Sequence, residues 1–225
     1  MGYYPVFLDL TGRTCLVVGA GSVGRRKIAG LVDREPTEVL VVDPAGPGGD
    51  MDELLSRPEV RFEKRPFRDE DLEGRFLVIA STDNEELNWR ISDICRERGI
   101  LCNIVDQPEK CSFIVPAIIR QGDLTLAVST GGASPALAKK LKRELEEYIG
   151  PHYGSFLMLM ARLRPLVIGL DKGTEHNTAV FKRLVASDLM EAVAARDEER
   201  ARVILAENLP EELAEETAEL THGLF

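Results

Sequence analysis

The sequence predicts an α/β protein: a Rossmann-type, doubly wound parallel sheet, then an antiparallel hairpin with a helix, then a helical C-terminal region. Three observations carry this. An apolar run ends in Gly19, Gly21 and Gly24, spaced G-x-G-x-x-G, and a second run, Val39-Leu-Val-Val-Asp43, ends in an acid. Strand-like and helix-like stretches alternate up to about residue 105. From about residue 151 only helical periodicity remains.

The elements follow in order. Strands are expected at 14–19, 38–43, 60–64, 76–80 and 101–105. Ile28, Leu31 and Val32 have helical spacing after the glycine turn, and Leu87, Ile91, Ile94 and Cys95 have it on a second helix. Thr82 and Glu85 have the spacing of a capping box at that helix's start. Ser112–Arg120 and Leu124–Thr130 flank Gln121-Gly-Asp123 as an antiparallel hairpin. Gly131-Gly132 follows, with Ser134 as N-cap and Pro135 as first helical residue. Leu137, Ala138, Leu141, Leu145 and Tyr148 line one face of this helix, and Lys139, Lys140, Lys142 and Arg143 the rest. Later helices are expected to break at Pro165, around Gly173 and at Pro210. Phe156–Ala161 is apolar all around, which fits core packing or, the favoured reading, a subunit interface. The expected domains are 1–112, a dinucleotide-binding Rossmann domain; 113–150, a hairpin and helix region; and 151–225, a helical C-terminal region.

Composition narrows the function classes. A chain of 225 residues, 44% hydrophobic, buries a sizeable core. It has no apolar run of about 18 residues and no basic stretch before its first apolar residues, so a cytoplasmic protein without a membrane partner is expected. Cys15, Cys95, Cys102 and Cys111 form no C-x-x-C pair and read as buried thiols. His152, His176 and His222 lack ligand spacing, so no preformed metal site is expected. Of the net charge of −10, residues 191–225 carry −7, from ten acids and three arginines, which argues against nucleic acid as a partner.

The glycine fingerprint points to a dinucleotide. Gly19 allows a tight turn, Gly21 a close approach of backbone to pyrophosphate, and Gly24 close helix–sheet packing. The helix N-terminus offers free N–H groups, and Asp43 is placed to accept from ribose hydroxyls. Expected cofactor contacts are Gly19, Gly21, Ser22, Val23, Gly24, Asp43 and Pro44. Thr82 and Asp83, after the fourth strand, add to them or simply cap a helix. No Arg or Lys closely follows Asp43, which predicts NAD over NADP. Asp106 follows Cys102-Asn-Ile-Val105, whose end should face the cofactor crevice. A carboxylate there can act as a general base, or it is an Asp in an ordinary Asp-Gln-Pro turn. Thr130-Gly131-Gly132 can hold an anionic group with backbone N–H groups, or only connect hairpin to helix.

Taken together, these residues resemble the precorrin-2 dehydrogenase family, the N-terminal half of siroheme synthases. The resemblance rests on Tyr4–Leu10, Val17–Lys27, Ala80–Asn84, Asn88, Cys102–Asp106, Ser112–Pro116 and Ala127–Pro135, and covers roughly residues 3–165. It implies NAD-dependent oxidation of precorrin-2 to sirohydrochlorin on the route to siroheme, with Asp106 matching the catalytic carboxylate. It also implies a homodimer, with 113–150 as the dimerisation region, and, in some members, insertion of ferrous iron, which would make the chain a bifunctional dehydrogenase and ferrochelatase. No transferase-like segment is read, so the methylation of fused siroheme synthases is not expected. A polycarboxylate substrate needs local cations, and Arg25, Arg26, Lys27, Arg120 and the Lys139–Arg143 group are the candidates, with Thr130, Gly131 and Gly132 as neutral donors. A non-catalytic NAD(H)-sensing Rossmann protein is the competing class, but no effector module is visible.

Overall fold

The computed structural model describes residues 2–48, 51–105 and 107–224. It divides into two compact units, with the division between Val115 and Pro116.

The first unit is a five-stranded parallel sheet in the order β3-β2-β1-β4-β5. Its strands are β1 (Thr14–Val18), β2 (Glu38–Val42), β3 (Val60–Glu63), β4 (Leu77–Ala80) and β5 (Leu101–Ile104). The central strands read as continuous apolar runs because helices and loops cover both faces. Side chains alternate between those faces. Cys15, Val17, Val39, Val41, Leu77 and Ile79 pack on one side with Ile28, Leu31 and Val32 of α1 (Ser22–Val32). Leu16, Val18, Leu40, Val42, Val78 and Ala80 pack on the other with Ile91 and Cys95 of α3 (Glu85–Arg98). A short α2 (Asp52–Leu55) lies between β2 and β3. Val18 is in register with Val42 on one side and with Ala80 on the other, so β1, β2 and β4 end at one level.

The Thr82–Glu85 capping box does not form. Asn84 is the N-cap of α3, its side chain accepting from Leu87 N–H at 3.0 Å, because it stands one residue before the helix and Thr82 stands three before.

The second unit holds the hairpin β6 (Ala117–Gln121) and β7 (Leu124–Val128). Gly122, at φ +57°, takes the first central position of its two-residue turn, where type II′ hairpins place glycine. The expected strand from Ser112 starts only at Ala117, since Ser112 is spent on β5: its N–H donates to Cys102 O at 2.9 Å. Ser134 caps α4 (Pro135–Tyr148) as expected. The apolar face of α4 is covered at Ala138, while Leu137 and Tyr148 are exposed.

α5 (His152–Gly169) runs straight through Pro165. Both Pro165 and Ala161, whose carbonyl loses its usual N–H partner, are exposed, so water can take up that carbonyl while Leu163 and Val167 hold the buried face. Phe156, Leu159, Leu163 and Val167 enter a helical core, so within this chain core packing accounts for one face of the Phe156–Ala161 stretch. α6 (Thr174–Ala186), α7 (Leu189–Ala195), α8 (Glu198–Asn208) and α9 (Thr217–Thr221) supply the rest of that core through Val180, Leu184, Leu189, Leu205 and Leu220. Helix breaks occur before Thr174 and at Pro210, as the sequence predicts. No described helix is long and apolar enough to cross a membrane.

Candidate active site

The carboxyl ends of β1, β2, β4 and β5 share one edge of the sheet. Backbone bonds extend the ladder past the strands: Gly19 N–H to Val42 O at 2.9 Å, Ser81 N–H to Val18 O at 2.8 Å, and Val105 N–H to Ala80 O at 3.2 Å. This is where strand order reverses around β1, the place at which open α/β sheets bind ligands.

The glycines of the first turn have different causes. Gly19 adopts φ +94°, and a Cβ there would lie 2.7 Å from Ser81 O. A Cβ on Gly24 would lie 2.0 Å from Gly19 O and 2.9 Å from Ser81 Oγ, so α1 sits against the turn at its closest approach. Ser81 Oγ donates into the same turn, to Gly19 O at 3.0 Å. Gly21 is different: nothing lies within 4 Å of its Cβ position. It is the N-cap of α1, without a side-chain cap and without an acid in the first turn, so among the described residues no side chain caps the helix start.

Asp43 stands one residue past β2, on the other rim. Its Oδ2 accepts from Ala20 N–H at 2.7 Å and its Oδ1 from Ala45 N–H at 2.7 Å. The carboxylate therefore braces the glycine turn and keeps acceptor capacity on both oxygens. Past β4, Thr82 is clamped by Asn88, a buried residue of α3. Asn88 Oδ1 accepts from Thr82 Oγ1 at 2.7 Å, and Asn88 Nδ2 donates to Thr82 O at 2.9 Å. Asp83 is exposed beside them.

Asp106 lies outside the described residues. Its neighbours are held firmly. Ser112 Oγ accepts from Cys102 N–H at 2.7 Å, and buried Asn103 donates to Phe113 O at 3.0 Å. Lys27 on α1 donates to Asn103 Oδ1 at 3.4 Å. The sequence marked Lys27 only as one of several cations, and spacing gave no hint that it reaches β5.

Two more cations arrive by folding. A side chain at position 46 would meet Lys64, its Cε 3.3 Å away, and one at position 48 would meet the Arg25 guanidinium at 3.3 Å. The loop after Asp43 thus has basic neighbours that the linear sequence does not place there. In the second unit, Gly131 and Gly132 adopt φ +61° and +87°, with open space at both Cβ positions. Ser134 N–H bonds Thr130 Oγ1 at 3.1 Å in that turn, and Arg120 is exposed on β6.

The first unit fits a dinucleotide on its own geometry. The open Gly21 cradle, the uncapped start of α1 and the Asp43 carboxylate stand on one edge, as pyrophosphate and ribose require. Among the described residues no cluster of His, Cys, Asp or Glu suits a metal ion.

Comparison with known proteins agrees. Residues 6–117 match the family model described as putative NAD(P)-binding, and residues 121–148 match the one for the central part of sirohaem biosynthesis proteins. The siroheme synthase of Thioalkalivibrio sulfidiphilus is 39% identical over 93% of this chain, and that of Nitrosomonas europaea 36% over 93%. The chain spans 42% and 44% of those relatives' lengths. A solved structure titled SirC, precorrin-2 dehydrogenase, has the same fold, with TM-score 0.76, 24% identity, and coverage of 91% of this chain and 98% of that one. Over most of its length the chain is thus similar to part of the siroheme synthases, with an NAD(P)-binding region followed by a segment like the central part of sirohaem biosynthesis proteins.

Proposed function

We propose that this chain is an NAD-dependent dehydrogenase that converts precorrin-2 to sirohydrochlorin in siroheme and related tetrapyrrole biosynthesis. One observation carries the reading: the edge that presents Gly21, Asp43 and Thr82 is also the edge at which β5 leads to position 106. Similarity to the siroheme synthases suggests the substrate class.

Bound NAD⁺ supplies a two-electron acceptor that takes a hydride at its nicotinamide. The chain's residues do the rest. Gly19, Gly21, Ser22, Val23 and Gly24, with the first N–H groups of α1, hold the pyrophosphate. Asp43 and Pro44 hold the adenosine ribose. Thr82, fixed by Asn88, and Asp83 border the nicotinamide half. Asp106 is the general base: it takes the proton released as the substrate loses its hydride, so precorrin-2 and NAD⁺ give sirohydrochlorin, NADH and H⁺. Arg25 and Lys27 in the first unit, and Arg120 with Thr130, Gly131 and Gly132 in the second, are the candidate donors to substrate carboxylates. Each charge-assisted bond is worth about 1.5–3 kcal/mol, so a few suffice in an acidic protein. The exposed apolar face of α4, with Leu137 at 46% and Tyr148 at 75% exposure, supports assembly as a homodimer.

The test is the rise of NADH absorbance on mixing the protein with precorrin-2 and NAD⁺. Asp106→Ala should keep NAD binding and lose about 10²- to 10⁴-fold in turnover, the usual worth of a general base. Full activity in that variant removes Asp106 from the mechanism, and NAD binding without any turnover of precorrin-2 removes the dehydrogenase. Adding Fe²⁺ as a substrate to the same reaction tests for a second, ferrochelatase activity, which chelation at the protein-free rate would exclude.

A further inference from the structure

One thiol binds the chain on both sides of position 106. Cys111 follows a short 3₁₀ turn, Pro108–Lys110, that brings the chain back to the end of β5. Its Sγ accepts from Ile104 N–H at 3.1 Å and from Asn103 Nδ2 at 3.6 Å. Its proton is shared between Ile104 O and Gln107 O, each at 3.2 Å. The residue two before position 106 and the residue just after it therefore share a single partner.

Packing alone does not ask for this. A buried cysteine usually behaves as a small hydrophobe with a weak S–H donor, and valine fills much the same space. Here the sulfur serves as donor and acceptor at once. Burial pushes the thiol up, against the pull of the Ile104 N–H and the Lys27 charge, so Cys111 keeps its proton at neutral pH. Asn103 passes the connection on, because its Oδ1 accepts from Lys27, a residue of the helix whose start forms the cofactor cradle.

We propose that Cys111 is a positioning residue for the dehydrogenation. Its bonds to Ile104 and Gln107 hold the chain on either side of position 106, and through Asn103 and Lys27 they connect β5 to α1. The proposal rests on the reading of Asp106 as the base.

The experiment uses the full chain with precorrin-2 and NAD⁺. Cys111→Val removes the hydrogen bonds at similar volume, and Cys111→Ser restores a donor and acceptor. Misplacement of a reacting group on the ångström scale costs up to about 100-fold, so Cys111→Val should lower kcat by about ten- to a hundredfold. The KM values and NAD affinity should stay unchanged, and Cys111→Ser should recover most of the rate. Cys111→Ala is run alongside and read the same way, so misfolding of one variant leaves the test intact. Because Cys111 acts through Asp106, adding Cys111→Val to Asp106→Ala should cost nothing further. Wild-type kcat in a folded Val or Ala variant overturns the proposal, as does a Ser variant no faster than Val. Losses that multiply in the double variant, with Asp106→Ala itself slowed as expected, sink the positioning role alone. An Asp106→Ala enzyme at full rate sinks the base reading, and this proposal with it.

Discussion

Two glycine-rich turns lead into helices in this chain, one in each unit, and they are built differently. At the first, Gly24 is fixed by contact: a Cβ would lie 2.0 Å from Gly19 O, with φ in the ordinary helical range. At the second, Gly131 and Gly132 are fixed by conformation: φ is +61° and +87°, and among the described residues no atom lies within 4 Å of either Cβ position. Gly24 thus records close packing, whereas Gly131 and Gly132 record a left-handed backbone without it, and Gly19, at φ +94°, combines both. The first turn is packed between helix and sheet, and the Asp43 and Ser81 side chains also bond to it. The second is held by side-chain hydrogen bonds, Ser134 N–H to Thr130 Oγ1 and Gly131 N–H to Ser129 Oγ.

Alanine at each turn breaks or supports that contrast. Gly24→Ala forces α1 away from a backbone carbonyl and should cost about 3 kcal/mol, the upper end of ordinary overpacking, together with NAD affinity. Gly132→Ala carries only the left-handed penalty, about 1–2 kcal/mol. Urea unfolding of both, with NAD titration, measures it. Equal losses would mean that the two turns have one cause after all.

A smaller effect separates the charges of the two units. Asp71 is a buried residue of the first unit, at 8% exposure. Burial alone would raise its carboxyl, but Arg65, bonded to both oxygens at 2.8 and 2.6 Å, and Arg68 N–H outweigh burial and lower it from 3.8. A lowered carboxyl contributes stability above its unfolded value and loses it as pH falls through the folded value. Stability should therefore hold down to about pH 4 and decline below it. Arg65→Lys loses the two-pronged contact and lets the folded carboxyl rise, so less stability is lost below about pH 4 and the acid limb becomes shallower. On α4 the pairs Lys140–Glu144 and Lys142–Glu146 are exposed and spaced 3.6 and 3.4 Å, worth about 0.3–0.5 kcal/mol each. Lys142→Gln should leave the acid limb as it was, and a flattening equal to that of Arg65→Lys would remove the distinction.

The sequence made the first unit legible to the extent that local pattern decides it. β1 and β2 are apolar on both faces because both faces are buried, and the glycine turn writes its close contacts directly into residue type. The links between distant segments were not legible. Lys27 bonds Asn103 across 76 positions, and Lys64 and Arg25 border the loop after Asp43, because the sheet order brings those places together. The reading of NAD preference from the residues after Asp43 therefore saw only part of the cation set. In the second unit, Pro165 misled because proline's cost depends on which side of the helix it occupies. The α4 stripe was found by its period, but period does not say what covers a face.

The smallest effect comes from matched caps. Asn84 accepts from Leu87 N–H at 3.0 Å at the start of α3, and Ser134 from Leu137 N–H at 3.2 Å at the start of α4. Either cap, replaced by alanine, should cost about 1 kcal/mol where the helix unfolds only with its unit. α3 is such a helix, anchored by buried Asn88, Ile91, Ser92 and Cys95. α4 is held within the chain by buried Ala138. Asn84→Ala should therefore lower global stability, whereas Ser134→Ala should appear as faster amide exchange in the first turn of α4 with little change in the unfolding midpoint. Protein concentration then decides what covers the α4 stripe. If a second copy does, raising the concentration should slow that exchange and turn the Ser134→Ala defect into a global one, because association stabilises the folded helix by mass action. If exchange at α4 is the same at every concentration, the stripe is not a dimer surface, and the homodimer falls out of the proposed function.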